Sequence, residues 1–332
     1  MNAPVAGADD WGPPSGLVWA LKFVDGAAQS CTEAEAAHPR AGWTWTHYRL
    51  GDVRAQALLR DVSGLPAEAH ELFALKQDRI QIVQQDGWVF GMLPDLERDL
   101  AGRPEGEGRL VFAARGRRVI TGRLHALRAV DDLRRAAERG LRLADPAEAL
   151  SQLVEFYVDL VEDLFDGLGA ELSAIEDYVL TEPQQPRGGG LSAVRRRLAR
   201  HRRELQGLRS ALVRAMGGRH GGRVDALAER LPDLVAMTED IDREASGLQE
   251  RARLLYEEID TLINSATNRS MRTLTIISTL LIPPTLIVGA FGMNVPGIPW
   301  DKSPIGFTMA SGLCVLVVVG ALWLLRRMQM LP

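Results

Sequence analysis

The fold class this sequence predicts is an α+β soluble domain, then long stalk helices, then a two-helix transmembrane hairpin. Three observations predict it. Leu274–Phe291 carries no charge and is long enough to cross a bilayer as a helix. A second apolar stretch, Ile305–Leu325, ends in Arg326-Arg327. At Asp145 the pattern switches: before it short β-branched and aromatic runs alternate with turn signals, and after it the periodicity is helical. A chain of 332 residues also exceeds one compact core, which agrees with a soluble part and a membrane part.

Composition narrows the class. A net charge of −4 is mild and argues against a nucleic-acid partner. Cys31 and Cys314 lie far apart, so they form neither a disulfide framework nor a zinc cluster. The N-terminus lacks the basic and apolar regions of a signal peptide, so the soluble part is expected in the cytoplasm. Residues 1–14, rich in small residues, Pro and Gly, are expected to be disordered.

Residues 15–145 read as one cytoplasmic α/β domain. Gly16–Val24 and Trp43–Leu50 are aromatic and β-branched and predict strands. Asp52–Arg60 and Pro66–Leu75 predict short helices, with Asp52 and Ser63 as caps. Arg79–Val83 and Trp88–Gly91 flank Asp86-Gly87, and Arg109–Phe112 and Val119–Thr121 flank Arg115-Gly116, so each pair predicts a hairpin. Asp131–Arg139 predicts a helix closed by Gly140.

Residues 146–222 predict a helical hairpin: Pro146–Leu180, a turn over 182–190, Leu191–Met216, and a turn over 217–222. Glu155, Asp159, Glu162, Asp163 and Asp166 stripe the first helix, while Arg195, Arg196, Arg197, Arg200, Arg202 and Arg203 load the second. The plain expectation is that these opposite charges face each other or water; the sharper one is a cation-attracting surface. Residues 223–272 predict a stalk helix. Leu234, Ile241, Leu248, Leu255 and Leu262 recur every seventh residue, with Ala245, Ala252, Ile259 and Ala266 four further on, an a/d seam that packs along another helix. No break separates it from the membrane, and one helix from Pro232 to Met293 would run on the order of 90 Å.

The first span (273–293) is not a plain anchor. Thr275, Ser278, Thr285, Gly289 and Gly292 fall on one helical stripe, which Met271, Asn268 and Asn264 extend, with Ile282 its bulky apolar member. In lipid, such a stripe turns toward protein or water. On the stripe alone, a pore lining and close packing between helices stand about even. Pro283-Pro284 removes two backbone donors and predicts a kink. The second span (304–325) has no polar stripe and is expected to face lipid. Arg269, Arg272, Arg326 and Arg327 place both basic ends, and the 326–332 tail, in the cytoplasm; residues 294–303 form a short outer loop, and Trp300 and Trp323 suit the interfaces.

The first span ends at Gly292-Met293-Asn294, after which Pro296-Gly297-Ile298-Pro299-Trp300 stops any helix. A Gly-Met-Asn triplet there resembles the signature of the CorA superfamily of divalent-cation transporters. Leu274-Thr-Ile-Ile, Ile282-Pro283, Thr285 and Gly289 are similar to that family's pore helix. The loop from Asn294 to Trp300 has no Glu and resembles that of the ZntB zinc-transport branch, with Pro296 where that branch usually has Gly. Leu17–Leu21 and Arg118–Gly140 are also similar to that branch's cytoplasmic domain.

The resemblance implies a CorA-like fold, a homopentamer in a bacterial inner membrane, and Gly292, Met293 and Asn294 as the selectivity filter. It further implies Thr285, Ser278 and Asn268 as polar rings, and Met271 and Leu274 as hydrophobic constrictions that gate by dewetting. Ile282 and Asn264 share the stripe, and Glu257 with Asn264 would line a cytoplasmic exit. The plainer reading of Glu257 is a solvated charge on the stalk. The expected cargo is Zn2+, with Mg2+, Co2+ or Ni2+ as the alternative, and the likeness to the zinc branch implies coupling to protons. His38, His47, His70, His125, His201 and His220 are scattered, so no tight metal site is predicted and the ion should pass largely hydrated. No carboxylate lies in either span to carry a proton. No cofactor and no enzymatic activity are expected, for phosphate loop, nucleophile elbow and His-Glu-x-x-His are all lacking. A membrane-tethered sensor or scaffold is the alternative of a different class.

Overall fold

The computed structural model describes residues 16–98, 106–181, 190–217, 227–293 and 305–327. The expected disorder of 1–14 and the outer loop from Asn294 lie outside these, as do most of both turns and the end of the tail. The chain divides into two units, Met1–Ile175 with Gly190–Arg253, and Glu176–Gly189 with Leu254–Pro332.

The first unit is built on one sheet. Strands β1 (Leu17–Val24), β2 (Ala27–Ser30), β3 (Trp43–Arg49), β4 (Gln81–Gln85), β5 (Trp88–Leu96), β6 (Glu107–Arg115) and β7 (Arg118–Arg123) lie in the order β2-β1-β3-β7-β6-β5-β4. Neighbours are antiparallel except β3 and β7. Both predicted hairpins form. Asp86 and Gly87 take φ of 52° and 76°, the left-handed pair that a two-residue hairpin turn demands. Asp25-Gly26 does the same (φ 50° and 79°) and folds β2 back on β1.

Three short helices, α1 (Glu33–Ala37), α2 (Val53–Arg60) and α3 (Ala67–Phe73), share a core with one sheet face, including Tyr48, Leu59, Leu72, Phe90 and Ile120. The other face packs on α4 (Arg128–Glu138), α5 (Pro146–Thr181), α6 (Leu191–Gly217) and the first turns of α7 (Leu231–Phe291) through Trp45, Phe112, Leu133, Tyr157, Phe165, Leu205 and Leu234. Burying apolar area on both faces, at roughly 25 cal/mol per Å2, supplies the driving force.

Of the two expected caps, one forms. Asp52 does cap α2. Ser63 does not cap α3, whose N-cap is Pro66 with no side-chain bond. The α4 helix starts at Arg128 rather than Asp131, because its cap comes from another element. Asp95, buried in β5, accepts from the N–H groups of Ala129 (2.8 Å), Val130 (3.1 Å) and its own neighbour Leu96 (2.7 Å). Burial outweighs these donors and pushes its carboxyl up to about 7.

The α6 arginines do not face the acidic stripe of α5 as a set. Arg202 pairs with Asp242 of α7 (2.8 Å) and Arg209 with Glu239; Arg200 points to Glu107 of β6 (3.6 Å). Arg197 reaches α5, but at Glu171 (2.7 Å), beyond the stripe. Arg109, half-buried, ties β6 to α6 through Glu204 (2.8 Å) and also holds Asp78 (2.7 Å).

The second unit holds the rest of α7, the last turn of α5 and α8 (Gly306–Arg327). The seam stays shielded at Leu255 and Ile259, is half-buried at Leu262 and is exposed at Ala266. Helix α7 is continuous for 61 residues, with Pro283 and Pro284 inside it. Its last part and α8 are each long and apolar enough to span a membrane.

Candidate functional site

In the second unit α7 has two contrasting sides. Ile276, Thr279, Leu280, Pro283, Pro284, Ile287 and Phe291 are half-buried. The α8 helix lies on that side, with Cys314 Sγ 4.0 Å from the Pro284 carbonyl. On α8, Gly306, Ala310, Cys314, Val317, Val318 and Ala321 are half-buried and Leu325 is buried. Small residues every third or fourth position let the two helices approach closely.

The predicted stripe lies on the other side. At about 100° per residue, Asn264, Asn268, Met271, Thr275, Ile282, Thr285 and Gly289 cluster on a face roughly opposite Leu280 and Ile287. All seven are exposed, as are Leu274 and Gly292; Ser278 is half-buried. Within this chain, then, the stripe does not serve to pack α7 on α8.

Its hydroxyls have a defined polarity. Thr285 Oγ1 donates to the Leu281 carbonyl (2.7 Å), and Thr275 Oγ1 to that of Met271 (2.9 Å). With the hydrogen turned inward to the carbonyl one turn back, each oxygen presents only lone pairs outward. Waters around a cation point their hydrogens outward and need acceptors, so such a row suits a hydrated cation. Asn264 is similar: its amide nitrogen donates to Asp260 (3.1 Å), leaving its carbonyl oxygen as acceptor. Sequence reasoning found these residues but not this orientation, which depends on the i−4 geometry of the helix.

At the C-terminal end of α7, Gly292 N–H still donates to the Val288 carbonyl (2.9 Å), and Met293 closes on Ala290 (3.4 Å). The helix terminus presents partial negative charge there. Met293 is exposed, and Asn294 lies outside the described residues. Glu257 is exposed, its carbonyl accepting from Thr261 Oγ1 (2.9 Å). Among the described residues no group of three or more His, Cys, Asp or Glu is placed to hold a metal ion. His47 is instead a core residue, stacked on Trp19 (4.9 Å) and bonded to Thr121 (2.8 Å), with burial holding its pKa well below the usual value.

The chain resembles known proteins over most of its length. Residues 40–327 match the family described as "CorA-like Mg2+ transporter protein". The divalent cation transporter CmaX of Pseudomonas aeruginosa is 30% identical over 290 residues, covering 86% of this chain and 87% of that one. The zinc transport protein ZntB of Pectobacterium atrosepticum is 28% identical over 224 residues, 64% of this chain and 65% of that one. The solved structure of full-length CmaX superposes with a TM-score of 0.80 at 27% identity, covering 96% of this chain and all of that one. These names are those of transporters, consistent with the expected absence of enzymatic activity. With this match running through the sheet, α7 and α8 alike, the chain is a member of the CorA-like Mg2+ transporter family, a family of divalent-cation transporters, and has its fold.

Proposed function

We propose that this chain conducts divalent cations through a central path enclosed by several copies of α7, with Zn2+ as cargo. The observation that carries the reading is the exposed acceptor stripe of α7, set away from α8. Two spans cannot enclose a water-filled path, so identical subunits must surround it in closed symmetry, a homopentamer by resemblance. Gly292, Met293 and Asn294 stand at the outer entrance; Thr285, Ile282, Ser278, Leu274, Met271, Asn268 and Asn264 line the way in, and Glu257 lies toward the cytoplasmic exit. Met271 and Leu274 are the constrictions. The basic ends of the spans favour an inner-membrane protein with both termini inside.

Zinc rests on the likeness to ZntB and on the Glu-free outer loop. An oxygen-only lining discriminates weakly among small hydrated ions, which favours Mg2+, Co2+ or Ni2+ as the second reading. Radiotracer uptake into proteoliposomes decides between them: zinc uptake should exceed magnesium uptake and collapse in Asn294→Ala. Equal uptake by Asn294→Ala would remove the entrance from the account, and magnesium preference would replace the cargo. Acidifying one side tests proton coupling, with faster zinc entry as the expected result.

A further inference from the structure

The helices of the first unit carry opposite charge on two faces. Between α6 and α7 lies a groove of about 620 Å3 whose wall includes Ser192, Arg195, Arg196, Arg202, Gln249 and Arg253, with Glu250 as its one carboxylate. Arg202 is anchored by Asp242 (2.8 Å) and Arg253 by Glu250 (2.8 Å), while Arg195 and Arg196 stand exposed at the rim. These anchors hold guanidinium groups in place, ready for bidentate contacts to an incoming carboxylate.

The second face is acidic. Asp159, Glu162, Asp163 and Asp166 line one side of α5 and are exposed, and Glu244 of α7 stands beside Glu162 and Asp166. Burial and these two neighbours push Glu244 upward, and burial with Asp163 does the same to Asp159. Among the described residues, no ion pair reaches any of these five carboxylates. On α7, Ser246, Gln249, Glu250 and Arg253 share a face, and Glu244 falls on the other side, about 200° away from Ser246. Acidic stripe and arginine groove thus flank α7 on opposite sides and cannot meet within one chain.

We infer that the acidic stripe of α5 seats against the arginine groove of a second copy of this chain. The inference rests on the reading of the chain as a ring of identical subunits. Such a ring needs a contact between two different patches, repeated until it closes, and a patch with its complement on opposite flanks of one helix meets that need. The charges set register and partner choice, and like charges brought together by a wrong register disfavour it.

Charge exchange in the full-length chain tests this. Asp159→Arg with Asp163→Arg, and separately Arg195→Glu with Arg196→Glu, should each lower the assembled fraction in mild detergent by about tenfold, as like charges across a contact do. Combining all four substitutions should restore assembly to near the wild-type level, and this rescue is a result that misfolding cannot mimic. Unchanged assembly in both pairs, or no rescue in the combination, overturns the inference. So does a groove that serves a phosphate-bearing ligand instead: ATP would then raise the melting temperature of wild type but not of the arginine variant, with assembly unaltered in both. A wild-type chain that runs as a monomer overturns the ring and this contact together, whereas a wild-type ring indifferent to these charges overturns the contact alone.

Discussion

Phe23, Trp45, Phe90 and Phe112 in the sheet are at most 1% exposed, whereas Ile277, Leu316 and Phe307 on α7 and α8 are 48%, 68% and 84% exposed. The two units therefore treat apolar surface in opposite ways. In the first, water drives the aromatic side chains between sheet and helices, and charge is left outside. In the second, beyond the seam residues Leu255 and Ile259, the large apolar groups face outward, and the hydroxyls, amides and glycines gather on one stripe. A helix pair of this composition is organised for hydrocarbon around it, where lipid replaces the core and polar groups need a separate, wetter side. One helix, α7, passes from the first regime into the second. The change falls after Leu262, where seam burial ends.

The sharpest way to break this comparison is to truncate one large side chain from each unit. Phe112→Ala should cost about 3–5 kcal/mol, because it leaves a cavity in a dry core. Leu316→Ala should cost under about 1 kcal/mol, since detergent or lipid refills the space. Chemical unfolding of the full chain in detergent measures both, and equal losses would show that Leu316 is packed against protein.

Asp95 comes next in size. Asp95→Ala leaves the first N–H groups of α4 without acceptors in a buried place and should destabilise by about 2–3 kcal/mol. Its pH dependence has a definite sign. The carboxyl titrates at about 7 in the fold, above the unfolded value near ~3.9. The folded chain therefore holds this proton more tightly, and the contribution falls as pH rises between those values, by up to ~1.4 kcal/mol per unit. His201 is held down to about 4 by burial and acts in reverse, costing stability as pH falls from about 6.5 toward that value. Wild type and Asp95→Asn share that histidine, so the difference between their pH profiles isolates Asp95. A flat difference would show that the carboxylate stays charged as a cap.

The same contrast explains what was legible in the sequence. Hairpin turns, the seam and both spans depend on local spacing, so Asp86-Gly87, Leu234 to Leu255 and Leu274–Phe291 announce themselves. The β2 strand was missed although Asp25-Gly26 is a hairpin signal, because Ala-Ala-Gln-Ser has weak strand propensity. The α1 helix was missed although Thr32 and Glu35 form a capping box, because five residues show no periodicity. The cap on α4 could not be read at all: Asp95 lies on a strand far from Arg128 in sequence, and only the sheet brings them together. The partners of the α6 arginines were illegible for the same reason, since composition gives the charges but not the neighbours. For the candidate path, spacing alone picked out the stripe, and the position of α8 adds which side it leaves open.

The smallest predicted effect bears most directly on that stripe. Thr285→Val keeps the shape and removes one outward acceptor per subunit, while the Leu281 carbonyl loses a donor it shares with the helix. The loss of one hydrogen bond to a hydration water is worth about 1 kcal/mol, so cation uptake should fall roughly fivefold with assembly unchanged. Ile277→Thr, on an exposed position well around the helix from the stripe, adds a hydroxyl that bonds back to its own helix and should leave uptake near wild type. If the two substitutions changed uptake equally, the position of a hydroxyl around α7 would not matter, and the stripe would be a packing surface between subunits. A loss confined to Thr285→Val requires that its oxygen meets the passing ion's water shell, because both changes alter a hydroxyl on the same helix and they differ in the direction it faces.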